Sequence, residues 1–210
     1  MKKGIFITFE GVEGAGKTTQ IEILKNRLSD EKIEFLLTRE PGGTPIGEKI
    51  RGILLDTENS EMNYMTELLL YCASRAQHLN QKIVTAKNDG KIVICDRFSD
   101  STLAYQGYAR GIDKSLIEKL GEIVEGENRP DLTFILDIDP EITLERAKKK
   151  SSDKKGDRIE QESMEFHQRV RAGFLEIAEK NPNRVILIDG RKSIEDIADK
   201  IFTEISKKIK

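Results

Sequence analysis

The sequence predicts an α/β protein with a three-layer, doubly wound sheet of five parallel strands and helices on both faces. Three observations carry this. Short apolar runs alternate with helical periodicities along the whole chain, no run approaches membrane-spanning length, and the first run passes through a glycine loop into a helix. The 210 residues show no break in composition, so residues 1–210 read as one domain. Basic residues number 35 and acidic ones 37, a balance that argues against a general nucleic-acid coat. The Met-Lys-Lys-Gly start is followed by too short an apolar run for a secretory core. Two cysteines, Cys72 and Cys95, lack metal or disulfide spacing and suit buried thiols in a reducing, cytoplasmic setting.

The first strand, Ile5 to Phe9, leads into Gly11-Val12-Glu13-Gly14-Ala15-Gly16-Lys17-Thr18, which fits G-x-x-x-x-G-K-S/T, with Thr19 following. Glycines at these positions let backbone N–H groups turn inward around a phosphate while the next helix presents its positive end. Lys17 is expected to reach the terminal phosphates of a nucleoside triphosphate and the Thr18 hydroxyl to hold Mg²⁺, a P-loop NTPase-like arrangement. The helix itself should run from Lys17 to about Leu28 on Ile21, Leu24 and Leu28.

Phe35 to Thr38 is the second strand, ending in Arg39-Glu-Pro-Gly-Gly43 at the carboxyl edge where open α/β sheets keep ligands. Thr44-Pro45 is a helix cap with first-turn proline, and that helix should end near Leu55 with Arg51 facing either solvent or a cleft. Met62 to Lys87 reads as one long helix, with Tyr71 and Arg75 one turn apart, a spacing at which a ring can stack a base while a guanidinium grips its edge. Lys91 to Cys95 is the third strand and delivers Asp96-Arg97, a candidate Mg²⁺-holding acid and a phosphate-neutralising cation. Ser99 to Gln106 should be a short helix carrying Thr102 and Gln106, neutral hydrogen-bonding groups suited to a heterocycle.

Asp113 to Val124 is a capped helix closed by Gly126, and Leu132 to Leu136 the fourth strand. It ends in Asp137, a weaker Mg²⁺ candidate than Asp96, and Asp139, sufficiently explained as a cap. The stretch around 148–158, rich in lysine and flanked by Arg146 and Arg158, has no apolar anchor and is expected to be a mobile basic lid. Glu160 to Glu179 should be helical, Arg184 to Ile188 is the fifth strand, and Ser193 caps the last helix. Strand order is not readable from this pattern.

A P-loop plus Arg39, Arg75, Arg97, Tyr71, Thr102 and Gln106 exceeds what ATP hydrolysis needs and suggests a second, acceptor pocket. The stretches FEGVEGAGKTT, TREPGGT, Tyr71-Cys-Ala-Ser-Arg75, DRFSDSTLAYQG and DRIEQES, spanning Phe9 to Ser163 in order, together resemble bacterial thymidylate kinases, a family of P-loop nucleoside monophosphate kinases. The resemblance implies transfer of the γ-phosphoryl group of ATP to dTMP with Mg²⁺, usually by a cytosolic homodimer. Carried over residue by residue, it assigns Tyr71 to stacking on thymine, where the family more often has Phe, and gives Arg75, Gln106 and Thr102 the base edge. Arg39 and Arg97 would hold the acceptor phosphate, with Arg51 a helper and Glu13 near the acceptor's sugar and phosphate. Because Gly14 stands where some relatives have an arginine, the catalytic cation is expected from the lid: Arg158 first, then Arg146, which would also contact ATP, or a lysine. A kinase for another pyrimidine monophosphate such as dUMP, and a non-catalytic ATP-binding switch, remain as alternatives.

Overall fold

Five apolar runs line up as parallel strands because each is flanked by a helix that returns the chain to the same edge of the sheet. The computed structural model describes residues 4–143 and 156–209. Its strands are β1 (Phe6–Glu10), β2 (Phe35–Arg39), β3 (Ile92–Asp96), β4 (Leu132–Asp137) and β5 (Val185–Asp189), in the order β2-β3-β1-β4-β5. All neighbours are parallel, with Phe9 opposite Asp96 on one side of β1 and Phe134 on the other. The chain leaves β1 toward β2 and leaves β3 toward β4, so the winding reverses between β1 and β3. A crevice opens there at the carboxyl ends.

The helices among the described residues are α1 (Lys17–Asp30), α2 (Pro45–Leu55), α3 (Tyr64–His78), α4 (Val84–Asn88), α5 (Ser99–Thr102), α6 (Lys114–Glu125), α7 (Met164–Lys180) and α8 (Ile194–Ile209). Ile7, Phe9 and Ile94 pack with Ile21, Leu24 and Leu28 of α1 and Ile197, Ile201 and Ile205 of α8. Phe6, Val93 and Cys95, one residue out of phase, point to the opposite face and meet Leu79, Ile83 and Phe98. Every residue of β1 is buried, as a central strand covered on both sides must be. The layered architecture is therefore the one expected, with caps where the polar residues predict them. Thr44 Oγ1 accepts from Gly47 N at 3.0 Å, Asp113 Oδ1 from Ser115 N at 2.9 Å, and Ser193 Oγ from Asp196 N at 3.1 Å.

Three helices depart from expectation. The long helix over 62–87 is interrupted by a π-helical turn at Leu79–Ile83, and the helix at Ser99 widens into a second π-helical stretch at Leu103–Ala109, where Arg110 N donates to Tyr105 O at 2.9 Å. Wide turns of this kind are common at functional sites, and this one carries Tyr105 and Gln106. The helix expected from Glu160 starts at Met164 because Asp157 Oδ1 accepts from Ile159 N and Glu160 N, holding a turn, and Ser163 Oγ then caps Phe166 N. Residues 148–155 of the expected lid lie outside the described residues. Its carboxyl end is packed, with Arg158 N donating to Leu55 O at 3.1 Å.

Candidate active site

The crevice is built first by the loop after β1. Gly14 has φ +76° and a Cβ there would lie 2.2 Å from Thr143 O, so only glycine fits. Gly16, at φ +96°, precedes α1 and aims its first turn at the crevice. Lys17 is buried and donates to Gly11 O and Val12 O, both at 3.0 Å. Burial and the neighbouring Arg97 charge lower its ammonium to about 8, against the pull of Asp96, Glu13 and Glu10.

Across the crevice, Arg97 follows β3 in a left-handed conformation (φ +70°), costly for a residue with a side chain and held by Arg97 N donating to Phe9 O at 2.9 Å. Its guanidinium donates to Gly11 O at 2.8 Å, Ser101 Oγ at 3.2 Å and Glu13 Oε1 at 2.6 Å, and lies over the Tyr105 ring. Tyr105 OH donates to Glu13 Oε2 at 2.8 Å. Burial would raise the Glu13 carboxyl, but Arg97, Lys17 and Tyr105 hold it below its usual range. Behind them Glu10 accepts from Phe98 N at 2.7 Å and Ser101 Oγ at 2.5 Å, with its pKa pushed up to about 8 by burial and Asp100. The loop, Arg97, Glu13 and Tyr105 thus form one charge-balanced unit.

The far wall comes from α2, α3, α5 and the wide turn at 103–109. A cavity of about 330 Å³ is lined by Glu13, Gly14, Lys17 and Thr18 on one side and by Arg51, Tyr71, Arg75, Thr102, Tyr105 and Gln106 on the other, with Asp96 and Arg97 between them. Arg75 is 2 % exposed; its Nε donates to Glu40 Oε2 at 2.9 Å and its Nη2 to Thr102 Oγ1 at 2.7 Å. Burial works against its charge, but Glu40 and then Glu125 hold it firmly protonated. Glu40 also bonds His78 Nδ1 at 2.9 Å, and His78 Nε2 meets Thr38 Oγ1 at 2.6 Å, tying Arg75 back to the end of β2. Gln106 Nε2 donates to Glu67 Oε1 at 2.8 Å, and Arg51 Nη1 to Pro41 O at 3.0 Å. Burial, with Glu67 nearby, raises the Tyr71 hydroxyl well above its ordinary value, so Tyr71 faces the cavity as a neutral ring.

The structure brings together most of the residues singled out in the sequence, but not all. Arg39 is about half exposed, ion-paired with Glu48 at 2.9 Å, and lines a neighbouring cavity with Thr18 and Asp96 instead. Arg158 does not fit the expectation of a free lid cation. It is 6 % exposed, its Nε donates to Leu54 O at 2.8 Å, and its Nη2 lies 2.6 Å from Glu67 Oε2 as an ion pair without hydrogen-bond geometry, so in this structure it sits against the protein wall. Arg146 lies outside the described residues. Asp137 is engaged by Arg171 at 2.6 and 3.0 Å, whereas Asp96 Oδ1 is buried without a hydrogen-bond partner at the mouth shared with Thr18. A divalent cation that takes one carboxylate, a hydroxyl and substrate phosphates fits this donor set.

Glu40, Glu67, His78 and Tyr105 carry no assignment in the sequence reading. A signal exists for two of them: Glu67, Tyr71, Arg75 and His78 step by four, four and three along α3, a polar stripe that must face a polar interior.

Chemically, the arrangement offers a phosphate cradle with a lysine and, within the same cavity, the Tyr71 ring, three guanidinium groups and the Gln106 amide for a second, planar and anionic molecule. The thymidylate kinase family model matches residues 9–201. The thymidylate kinase of Pelobacter propionicus is 47% identical over 205 residues, covering 96% of this chain and 94% of that protein. That of Halothermothrix orenii is 48% identical over 203 residues, covering 97% of each. Among solved structures, the crystal structure of thymidylate kinase from Ehrlichia chaffeensis matches with a TM-score of 0.78 at 39% identity, over 97% of this chain and 99% of that one.

Proposed function

Because this chain belongs to the thymidylate kinase family, we propose that the 330 Å³ cavity is where it carries out the family's reaction, transfer of the γ-phosphoryl group of ATP to dTMP to give dTDP and ADP. The observation that carries this placement is the single cavity lined at once by the P-loop residues Lys17 and Thr18 and by Tyr71, Arg75 and Gln106. The loop from Gly11 to Thr19 cradles the triphosphate through its N–H groups, and Lys17 neutralises the terminal phosphates. Tyr71 stacks on the thymine ring, and Arg75, Thr102 and Gln106 read its edge. Arg97 takes the acceptor phosphate, held in place by Glu13, and Arg51 adds positive charge around it, while Arg39 stays paired with Glu48 at the neighbouring cavity.

The transfer is in-line through a loose transition state in which positioning and charge stabilisation do the work. The acceptor phosphate is already an anion, so no strong base is needed. Thr18 and Asp96 are the residues that would hold Mg²⁺, which when bound supplies charge neutralisation on the phosphates. Since Arg158 is committed to Glu67, the lid cation is assigned to Arg146 or a lysine of the lid around 148–158, the rest of residues 1–210 acting as one kinase domain.

A homodimer is part of the same reading. Ile46 and Ile53 of α2 and Met65 and Leu69 of α3 are 39 to 53 % exposed, apolar side chains on two packed helices that a second copy would cover. A reducing, cytoplasmic setting suits the two free thiols, Cys72 and Cys95. No helix among the described residues is long and apolar enough to cross a membrane.

The test is a coupled ADP-release assay with ATP and Mg²⁺, comparing dTMP, dUMP and no acceptor, with product identity checked by chromatography. Strong dTMP-dependent release with dTDP appearing is expected. Equal release with dUMP would reassign the acceptor. Release without any acceptor would mean that the far wall is not an acceptor pocket.

A further inference from the structure

Glu67 of α3 is fully buried and does not line the crevice, so it can act on a bound acceptor only through another side chain. Its Oε2 faces two guanidinium groups, Arg110 Nη2 at 3.1 Å and Arg158 Nη2 at 2.6 Å, and Arg110 Nε donates to Oε1 at 3.2 Å. Burial works to raise this carboxyl, yet Arg110, Gln106 and Arg158 keep it ionised below its usual range. An ionised carboxylate can only accept. The 2.8 Å contact between Glu67 Oε1 and the Gln106 amide therefore fixes which way that amide points. Its nitrogen must face Glu67, because two oxygens at such a distance, with no proton between them, repel. Gln106 Oε1 lies on the other side, where it retains access to the cavity and takes no hydrogen bond from the described residues.

An unrestrained amide is ambidextrous and could offer a base either a donor or an acceptor. Held by Glu67, it offers an acceptor only. We infer that Glu67 is a positioning residue for base selectivity: by holding Gln106 Nε2 it turns the amide oxygen to the acceptor base, admitting a pyrimidine with N–H at ring position N3 and rejecting one with a lone pair there. This deepens the acceptor reading of the crevice and rests on it. Thymine and uracil carry that N–H. A base with an N3 lone pair would set it against the amide oxygen, losing one hydrogen bond and leaving two acceptors desolvated. Arg75, which only donates, suits a carbonyl at C4 and so disfavours cytosine on a separate ground. The role of Glu67 is isolated by a base that keeps the C4 carbonyl and changes N3 alone on that edge. N1-linked 5-methylisocytosine does this: it has the C4 carbonyl, the C5 methyl group and an N3 lone pair, with an amino group at C2.

The probes are dTMP and 2′-deoxy-5-methylisocytidine 5′-monophosphate, each titrated calorimetrically into wild type and Glu67→Gln. Wild type should bind dTMP tighter by about tenfold or more. In Glu67→Gln the new amide turns its oxygen to Arg110 and Arg158 and its nitrogen to Gln106, which rotates and presents Nε2 to the base. dTMP should then weaken while the isocytidine nucleotide binds more tightly than it does to wild type, shifting the ratio about tenfold or more. A wall merely loosened by the lost charge weakens both ligands, so parallel losses would overturn the proposal. A second measurement needs no Glu67 variant to fold. In ligand-free, ¹⁵N-labelled wild type the Gln106 side-chain amide, identified by its loss in Gln106→Met, should exchange with solvent more slowly than exposed glutamine amides. Exchange as fast as theirs, or a wild type with no preference between the two nucleotides, would also overturn the role of Glu67. Failure of wild type to bind dTMP at all would instead overturn the acceptor reading, whatever the amide exchange shows, and this inference with it.

Discussion

Arg158 Nη2 and Glu67 Oε2 meet at 2.6 Å in the buried wall behind the acceptor cavity, and the same carboxylate also receives Gln106 and Arg110. Burial would raise the Glu67 carboxyl, but Arg110, Gln106 and Arg158 hold it ionised below its usual range. Arg158 therefore fastens the carboxyl end of the lid segment to α2 and α3 and, through Glu67, orients Gln106.

Arg158→Ala should accordingly act on stability and on the acceptor more than on chemistry. Removing one partner of a buried ion pair costs about 3 to 5 kcal/mol when the other is left unpaired. Arg110 stays on Glu67, so a loss of about 1 to 3 kcal/mol in urea unfolding is expected. KM for dTMP should rise with kcat changed only a few fold. A variant of native stability whose kcat falls a hundredfold would return Arg158 to the reacting phosphoryl group.

Arg75→Lys tests whether a fork is required. The guanidinium spans Glu40 and Thr102 with separate nitrogens, at 2.9 and 2.7 Å, and an ammonium is a point charge that cannot reproduce both contacts. KM for dTMP should rise about tenfold or more, equivalent to about 1.4 kcal/mol, while KM for ATP stays near wild type. Equal losses for both substrates would show that Arg75 supports the whole crevice and does not face the acceptor.

Lys17→Ala should abolish measurable turnover without unfolding the protein. Among the described residues the ammonium bonds the carbonyls of its own loop, and removal of one preorganised charge at the transferring phosphates costs about a hundredfold or more in rate. A pH profile offers an independent check. Burial and Arg97 lower Lys17 to about 8, so its charge is present below that pH and lost above it. For the free enzyme, kcat/KM for ATP should fall as pH rises through about 8, while kcat, which reports the enzyme with ATP bound, should hold to higher pH. A kcat/KM flat to pH 10, or Lys17→Ala retaining the wild-type rate, would remove Lys17 from the triphosphate.

The contrast between Arg97 and Arg39 shows what the sequence can and cannot disclose. Both follow an apolar run directly and read as cations at the carboxyl edge. The order β2-β3-β1 then puts Arg97 beside the P-loop and leaves Arg39 on the edge strand, where it pairs with Glu48. That order is long-range information with no local signature. The strands, the caps and the P-loop are local, which is why they were legible. The π-helical turn at 103–109 leaves no spacing pattern to read, and the partnership of Arg158 with Glu67 joins residues on distant segments. Asp96 is an instructive middle case. Its place at the end of β3 was legible, whereas its difference from Asp137 lies in Arg171, a partner from α7.

Glu10 gives the last prediction, on stability. It lies fully buried under the crevice, and burial together with Asp100 raises its pKa from 4.5 to about 8. The folded protein therefore binds a proton between those values that the unfolded chain releases. By linkage, the stability associated with this group is complete below about 4.5 and is lost as pH rises from there to about 8. The slope from such a group is at most about 1.4 kcal/mol per pH unit. His167 works in the opposite sense, because burial lowers its pKa and favours the folded state as the solvent pH rises past the ordinary histidine range. The two contributions are separated by taking wild type minus Glu10→Gln. Glutamine is nearly isosteric with the protonated acid and can still accept from Phe98 N while Ser101 reorients. Urea unfolding of both proteins at pH 5, 6, 7 and 8 should show the wild type losing stability relative to the variant at each step. A constant difference across the series would mean that Glu10 is already ionised at pH 5 and that Arg97 offsets its burial.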